Sequence, residues 1–340
     1  MSTALSDHSG RQPSRRQFLG AAAASEPEVA RHWLRLQRRA MACTFEITLD
    51  QDDAACVPAA QAALNEIDAI EAQLSVFRET SAIAELNRRA GSGDAACDTN
   101  LFELLTRCRE LSEDTDGAFD ITSTPLSRCW GFLRREGRVP SEQEIEHART
   151  MVGMRKVRLD RERSTVKFLE PGVELNLGAI GKGYALDRIA ALLRDAGVHH
   201  ALLSAGRSSV LAIGGRGRGW PIDIVSPRRV GAIARVWLRD AALGTSGAGT
   251  QFAIVDGRRY GHVIDPRTGQ PAEGILSASV ICTCAADADA LSTACLVGGP
   301  LLAQRYCEAH PGVLALLTRE DDSTTTIVIG RCENAEMAEL

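Results

Sequence analysis

Apolar and polar residues alternate through Met41–Leu49 (MACTFEITL), which predicts a strand ending at the acidic run Asp50–Asp53. The period then changes. Through Ala54–Ser75, Ala63, Ile67, Ile70 and Leu74 recur at helical spacing with acids between them, an amphipathic helix. Thr99–Thr115 repeats that pattern, turning Leu101, Leu104, Leu105, Cys108 and Leu111 inward. Gly117–Thr124 reads as a loop or short strand before Pro125. Pro140–Ala148 reads as a short helix with Ser141 and Glu144 at capping-box spacing. Residues 157–169 predict a hairpin with a charged turn. Val173, Leu175 and Leu177 alternate with Glu174 and Asn176 as a strand. Gly178, Gly181 and Gly183 turn the chain, and Leu186, Ile189, Leu192, Leu193 and Ala196 form a helix closed by Gly197.

Shorter strands are expected at Ala201–Ser204, Val210–Ile213, Trp220–Val225, Ile233–Leu238, Gln251–Val255 and Arg258–Ile264. Ala285–Gly298 returns to helix, and Val313–Thr318 and Thr325–Ile329 close as strands. Helices and strands mix without strict βαβ alternation, so the expected class is α+β with a largely antiparallel sheet flanked by helices. Residues 1–30 read as a tail without a core pattern, and 31–335 as a single domain.

Composition narrows the function classes. The chain has 340 residues, 44% of them hydrophobic, enough for a large core. A net charge of −5 gives no nucleic-acid footprint. No apolar run approaches the roughly 18 residues of a membrane-spanning helix. The segment RQPSRRQFLGAAAA resembles the start of a twin-arginine export signal, but its apolar part is short and Glu26 and Glu28 follow at once. Two readings stand: an exported, periplasmic protein, or a cytoplasmic one with a basic tail. The ten cysteines include no CxxC pair. Cys295 and Cys307 fall on apolar helical faces as small core residues, and so many thiols suit a reducing compartment.

Four segments carry chemistry. In LNLGAIGKGYALD (Leu175–Asp187), a glycine turn and Lys182 open a helix, an arrangement that offers backbone N–H groups and a cation to a phosphate. It lacks the spacing and Ser/Thr of a Walker A loop, and an ordinary strand-to-helix turn reads equally well. In RYGHVIDPRTG, His262 stands three residues before Asp265 and its Pro-Arg-Thr-Gly turn, as a structural or a functional histidine. In DADALST, Asp287 is placed to cap a helix. Asp289 and Thr293 lie one turn apart on one face, hard oxygen donors suited to Mg²⁺ or, alternatively, charge that complements the helix dipole. Gly244-Thr245-Ser246-Gly247 reads as a small-residue turn.

Taken in order and spacing, Met41–Thr44, Phe119–Thr122, LNLGAIGKGYALD, GTSG, HVIDPRTGQP and ADALSTA resemble the ApbE family of FAD:protein FMN transferases, from about Leu36 to Gly299. The resemblance implies the family's T-fold-related α+β architecture with the flavin in a central cleft. It also implies Mg²⁺-dependent transfer of the FMN half of FAD to a Thr or Ser hydroxyl of an acceptor flavoprotein, typically a membrane redox subunit, with release of AMP. Carried over by position, Asp289, Thr293 and the Ala179 carbonyl hold the metal. Lys182 faces the flavin or its phosphates, and His262 assists the acceptor hydroxyl. Met41, Phe77, Ala118, Phe119, Asp120, Asn176 and Val263 line the flavin site.

The chain departs from the family pattern in several places. Asn176 stands where the family has Asp, Gly181 where it has Ala, and Phe77 where it has Tyr. Ser204-Ala205-Gly206-Arg207-Ser208 replaces Asn-x-Gly-Gly-Asp, and Ala42-Cys43-Thr44 replaces a Met-Gly-Thr. Arg207 puts a bulky cation where backbone is expected to approach closely, either crowding a flavin or binding a phosphate. Two alternatives to transfer follow: FAD binding without transfer, and hydrolysis of FAD to FMN and AMP.

Overall fold

The structure is a computed structural model and describes residues 33–134, 136–225, 231–247, 252–255, 257–320 and 326–339. The tail and the twin-arginine segment lie outside the described residues.

The chain opens with β1 (Trp33–Ala40), β2 (Cys43–Asp50), α1 (Val57–Leu74), α2 (Ala82–Arg89) and β3 (Ala95–Ala96). Next come α3 (Thr99–Asp114), α4 (Thr124–Cys129), α5 (Glu142–Arg149), β4 (Val157–Asp160), β5 (Thr165–Phe168) and α6 (Gly181–Asp195). Then follow β6 (Ala201–Ala205), β7 (Ser209–Ile213), β8 (Trp220–Val225), β9 (Ala232–Leu238) and β10 (Ala242–Gly247). The chain ends with β11 (Phe252–Val255), β12 (Arg258–Gly261), β13 (Ile275–Cys282), α7 (Ala285–Ala309), β14 (Leu314–Arg319), β15 (Thr326–Gly330) and β16 (Ala335–Glu339).

Eight strands form the main sheet, in the order β1-β2-β6-β7-β10-β13-β14-β15. Every named pairing is antiparallel, so the expected α+β class and sheet type hold. One face of the sheet meets α1, α3, α6 and α7 in the main core, where Phe45, Ile47, Leu203, Leu186, Ile189 and Ala290 are buried together. The other face turns Leu243, Ile281 and Leu316 toward Trp220, Val236 and Leu238 of the β16-β9-β8 sheet. Strand β13, buried at all 8 positions, runs between the two. A third cluster, Leu126, Trp130, Ile145, Ala148 and Ile264, joins α4 and α5 to the segment after β12.

Several expectations are corrected. The strand placed at Met41–Leu49 begins at Cys43 and is the second, because Trp33–Ala40 alternates exposed with part-buried positions and pairs with it first. Helix α2 and strand β16 were not expected. β16 pairs with β9 from Ala335 to Glu339, past the anticipated domain end. GTSG is not a turn but part of β10, hydrogen-bonded to β13. Val173–Leu177 alternates yet joins no sheet. The Asn87 side chain takes the partner strand's place, accepting from Leu175 N at 2.8 Å and donating to Leu175 O at 2.9 Å. The helix expected at Ala285–Gly298 does break there, at Gly299 (φ 67°), and a second helical stretch opening at Pro300 carries α7 on to Ala309.

Candidate active site

The glycine turn is set locally. Asn176 Oδ1 accepts from Gly178 N at 2.9 Å, an Asx turn, while Asn176 N donates to Ile121 O at 2.7 Å. Ile180 N and Gly181 N both donate to Leu177 O, at 3.2 and 2.7 Å, winding the chain into α6. The helix has no side-chain cap of its own at Ile180. One of its orphan N–H groups is met from across the fold. Gly183 N donates to Asp289 Oδ2 at 2.9 Å, and Lys182 Nζ lies 3.4 Å from the same oxygen. The other oxygen, Oδ1, accepts from Ser209 Oγ at 2.5 Å.

Helix α7 is closed in the same way, from the opposite side. Cys284 at its N-cap supplies no capping bond; its thiol donates instead to Asp187 Oδ2 at 3.3 Å. Asp187, on α6, accepts from Ala285 N at 2.9 Å and from Ala286 N at 2.8 Å. Burial raises the Asp187 carboxyl above its ordinary range, against the pull of those two N–H groups. Each helix start is thus capped by an aspartate of the other helix. Asp287, expected as the cap, instead forms a two-pronged pair with Arg107, both bonds at 2.9 Å.

Two glycines permit this approach. A Cβ on Gly183 would overlap the Ala285 carbonyl, and one on Gly244 would overlap the backbone of Ala288 and lie 2.6 Å from Asp289 N. Thr293, one turn beyond Asp289, has its hydroxyl 3.0 Å from Ser246 Oγ, which also lies 2.8 Å from Ser292 Oγ. Ala179 sits in the Leu177–Ile180 turn, partly buried against the main core.

The β1–β2 turn closes over the start of α6. Met41 (φ 49°) and Ala42 (φ 57°) are both left-handed, the backbone of a two-residue turn that glycine usually supplies. Met41 N donates to Glu71 Oε1 at 2.9 Å, and the Met41 methyl lies 3.1 Å from where a Cβ on Gly181 would stand. Cys43 neighbours the same charges. Burial raises its thiol, the Lys182 ammonium pulls it down, and Asp289 and Glu71 push it up. A Cβ on Gly206 (φ 64°) would lie 3.2 Å from Cys43 Cβ, so the β6–β7 turn abuts the group, with the Arg207 side chain exposed.

The remaining sequence candidates have settings of their own. Ala118 and Phe119 are buried in the main core. Asp120 accepts from Thr122 N at 2.8 Å, Thr122 Oγ1 at 2.5 Å and Met154 N at 2.9 Å, and burial outweighs these donors and raises its carboxyl. It borders a cavity of about 550 Å³ shared with Gly117, Arg149, Lys156 and Arg267. His262 follows β12 directly and is half-buried, while Val263 packs partly on the main core. The turn after it is fixed by Asp265, which accepts from Arg267 N, Nε and a terminal nitrogen at 2.8–2.9 Å. Phe77 is 79% exposed and packs into no core.

The structure therefore brings together Met41, Lys182, Asp289 and the turn carrying Asn176 and Ala179, with Thr293 beside them. It leaves Phe77 in solvent and holds Ala118 and Phe119 by their side chains in the core. Sequence reasoning missed Ser209, Asp187 and the role of Gly183 and Gly244. The signal for Asp187 was its place in the helix opened by the glycine turn, one turn past Gly183.

Among the described residues, no cluster of three or more His, Cys, Asp or Glu is placed to hold a metal. The oxygen donors on hand are the Asp289 carboxylate and the hydroxyls of Ser209, Ser246 and Thr293. That set fits a hard cation that draws its other oxygens from water and phosphate. The Lys182 ammonium beside Asp289 Oδ2 marks the place as one where positive charge is favoured.

The ApbE family matches residues 41–317. The FAD:protein FMN transferase of Treponema pallidum is 35% identical over 288 residues, spanning 78% of this chain and 79% of that protein. The FAD:protein FMN transferase of Escherichia coli K12 is 29% identical over 270 residues, 77% of each. Among solved structures, the ApbE protein of Thermotoga maritima superposes with a TM-score of 0.79 at 30% identity, covering 89% of this chain and 97% of that one. The flavin transferase ApbE of Vibrio cholerae gives 0.75 at 26% identity, covering 88% and 97%. A family match over most of its length, with a relative 35% identical across 78% of the chain, places this chain in the ApbE family.

Proposed function

We propose that this protein transfers the FMN moiety of FAD to a Ser or Thr hydroxyl of an acceptor protein, with Mg²⁺, and releases AMP. The observation that carries the reading is the Asp289 carboxylate, buried at the start of α6 with the Lys182 ammonium 3.4 Å away. A helix N-terminus and a lysine are the pieces that receive a diphosphate. Asp289, Thr293 and the Ala179 carbonyl would hold the cation, which when bound neutralises charge on the phosphate oxygens.

The chain's own residues do the rest. Lys182 leaves Asp289 for the non-bridging oxygens of the phosphate under attack. His262 takes the proton from the acceptor hydroxyl as its oxygen bonds to the FMN phosphorus. The bond from that phosphorus to the bridging oxygen breaks, and the oxygen departs on AMP. Met41 packs over the phosphate end of the site. The backbone of Ala118–Asp120, rather than its core-bound side chains, meets the flavin nucleotide. Phe77, exposed in this state, supplies an aromatic ring free to stack on it. The acceptor is a membrane redox subunit, met in the periplasm if the twin-arginine-like segment directs export and from the cytoplasm if it does not.

The test is incubation with FAD, Mg²⁺ and an acceptor polypeptide bearing a flavinylatable Thr. Fluorescent flavin on the denatured acceptor supports transfer. Free FMN and AMP without labelled acceptor would make the protein a hydrolase, and unchanged bound FAD would make it a binding protein.

A further inference from the structure

We propose that Ser209 is a positioning residue for the Asp289 carboxylate, fixing which oxygen is offered to a metal. The inference rests on the metal reading above and adds to it a residue from a different element. Ser209 is the first residue of β7, and both it and Asp289 are buried.

The two carboxylate oxygens have different surroundings. Oδ1 accepts from Ser209 Oγ at 2.5 Å, a charge-assisted bond of the short kind. Oδ2 faces the Gly183 N–H at 2.9 Å and Lys182 Nζ at 3.4 Å. With one oxygen tied to the sheet and the other to the start of α6, the carboxylate plane has no freedom to rotate. Its remaining lone pairs then point in set directions.

The donor's chemistry matters as much as its place. A hydroxyl holds the carboxylate without adding positive charge, so apart from the Lys182 ammonium the negative charge stays available to a metal. An arginine or lysine from β7 would consume it. The sheet brings Ser209 within reach because it pairs with Gly244, where the lack of a side chain lets α7 settle onto β10. Ser209, Gly244 and Gly183 thus act as one device that sets Asp289.

The experiment measures binding of Mn²⁺ alone to the full chain by titration calorimetry, without flavin, for the native protein and Ser209→Ala. Removing an outer-sphere partner of a metal ligand typically weakens the metal by about 10–100-fold, and that loss is expected here. Transfer by Ser209→Ala should recover at high Mg²⁺ with the KM for FAD unchanged, a rescue that a general packing defect would not show. Ser209→Cys, close in size and a weaker donor, should fall between the two and serves if the alanine variant does not fold. Native affinity in either folded variant overturns the proposal while leaving the metal reading intact. A native chain that takes up no Mn²⁺ overturns the metal reading, and the proposal with it.

Discussion

Helices α5 and α6 begin in opposite ways. α5 is closed by its own neighbours: Ser141 Oγ accepts from Glu144 N, and Glu144 accepts in return from Ser141 N at 2.8 Å. That capping box is exposed, local and purely structural. α6 has no such cap and borrows its acceptor from a residue 106 positions away, the Asp289 carboxylate. A local cap stabilises one helix. A borrowed cap also fixes the distance between two elements, and here the borrowed group is the one proposed to hold the metal. The contrast separates a helix start that only holds itself together from one that builds a site.

The largest expected effect comes from Asp289→Ala. If Asp289 holds the metal as proposed, losing its carboxylate should lower transfer by about a thousandfold or more, several kcal/mol in the barrier, read as flavin fluorescence on the denatured acceptor. If transfer persists, Asp289 is only a cap and the contrast with α5 collapses. Gly183→Ala comes next. In an ordinary helix this change is mildly stabilising. Here the new methyl meets the Ala285 backbone, so urea unfolding should show a loss of about 1–3 kcal/mol. A gain would mean that the two helices yield easily.

Asp187→Ala removes the cap of α7 and should cost about 1–2 kcal/mol in the same measurement, with a smaller loss of transfer than Asp289→Ala. The smallest effect belongs to α5. A hydrogen bond from Arg138, then those from Ser141, hold the Glu144 carboxyl at about 2 against an ordinary 4.5. The folded chain therefore binds this proton less readily than the unfolded one. Its contribution is complete above pH 4.5 and disappears as pH falls toward 2. Glu144→Gln should flatten thermal stability across that window and leave transfer untouched.

What the sequence disclosed follows the same division. Elements held by short-range patterns were legible: the Ser141 cap, the inward face of α3, and the α6 helix closed by Gly197. So was the one-face pairing of Asp289 and Thr293, which helical geometry alone dictates. Interactions that close only in three dimensions were not. Val173–Leu177 has strand alternation, but its partner is the amide of Asn87, and no periodicity reveals a side chain standing in for a strand. GTSG looks like a turn because its residues are small. Gly244 among them is bare because α7 lies against β10 there. Asp287 looked like a cap by position and lost that role to Asp187, because Arg107 was waiting for it.

The turn at Met41 and Ala42 carries one more consequence. Two side-chain-bearing residues are held where only glycine is comfortable, at a cost of about 1–2 kcal/mol each. The hairpin thus keeps a small reserve of unspent stability, and Ala42→Gly would release part of it. The released hairpin would also be looser, so the methionine that now sits in one place over Gly181 would begin to wander.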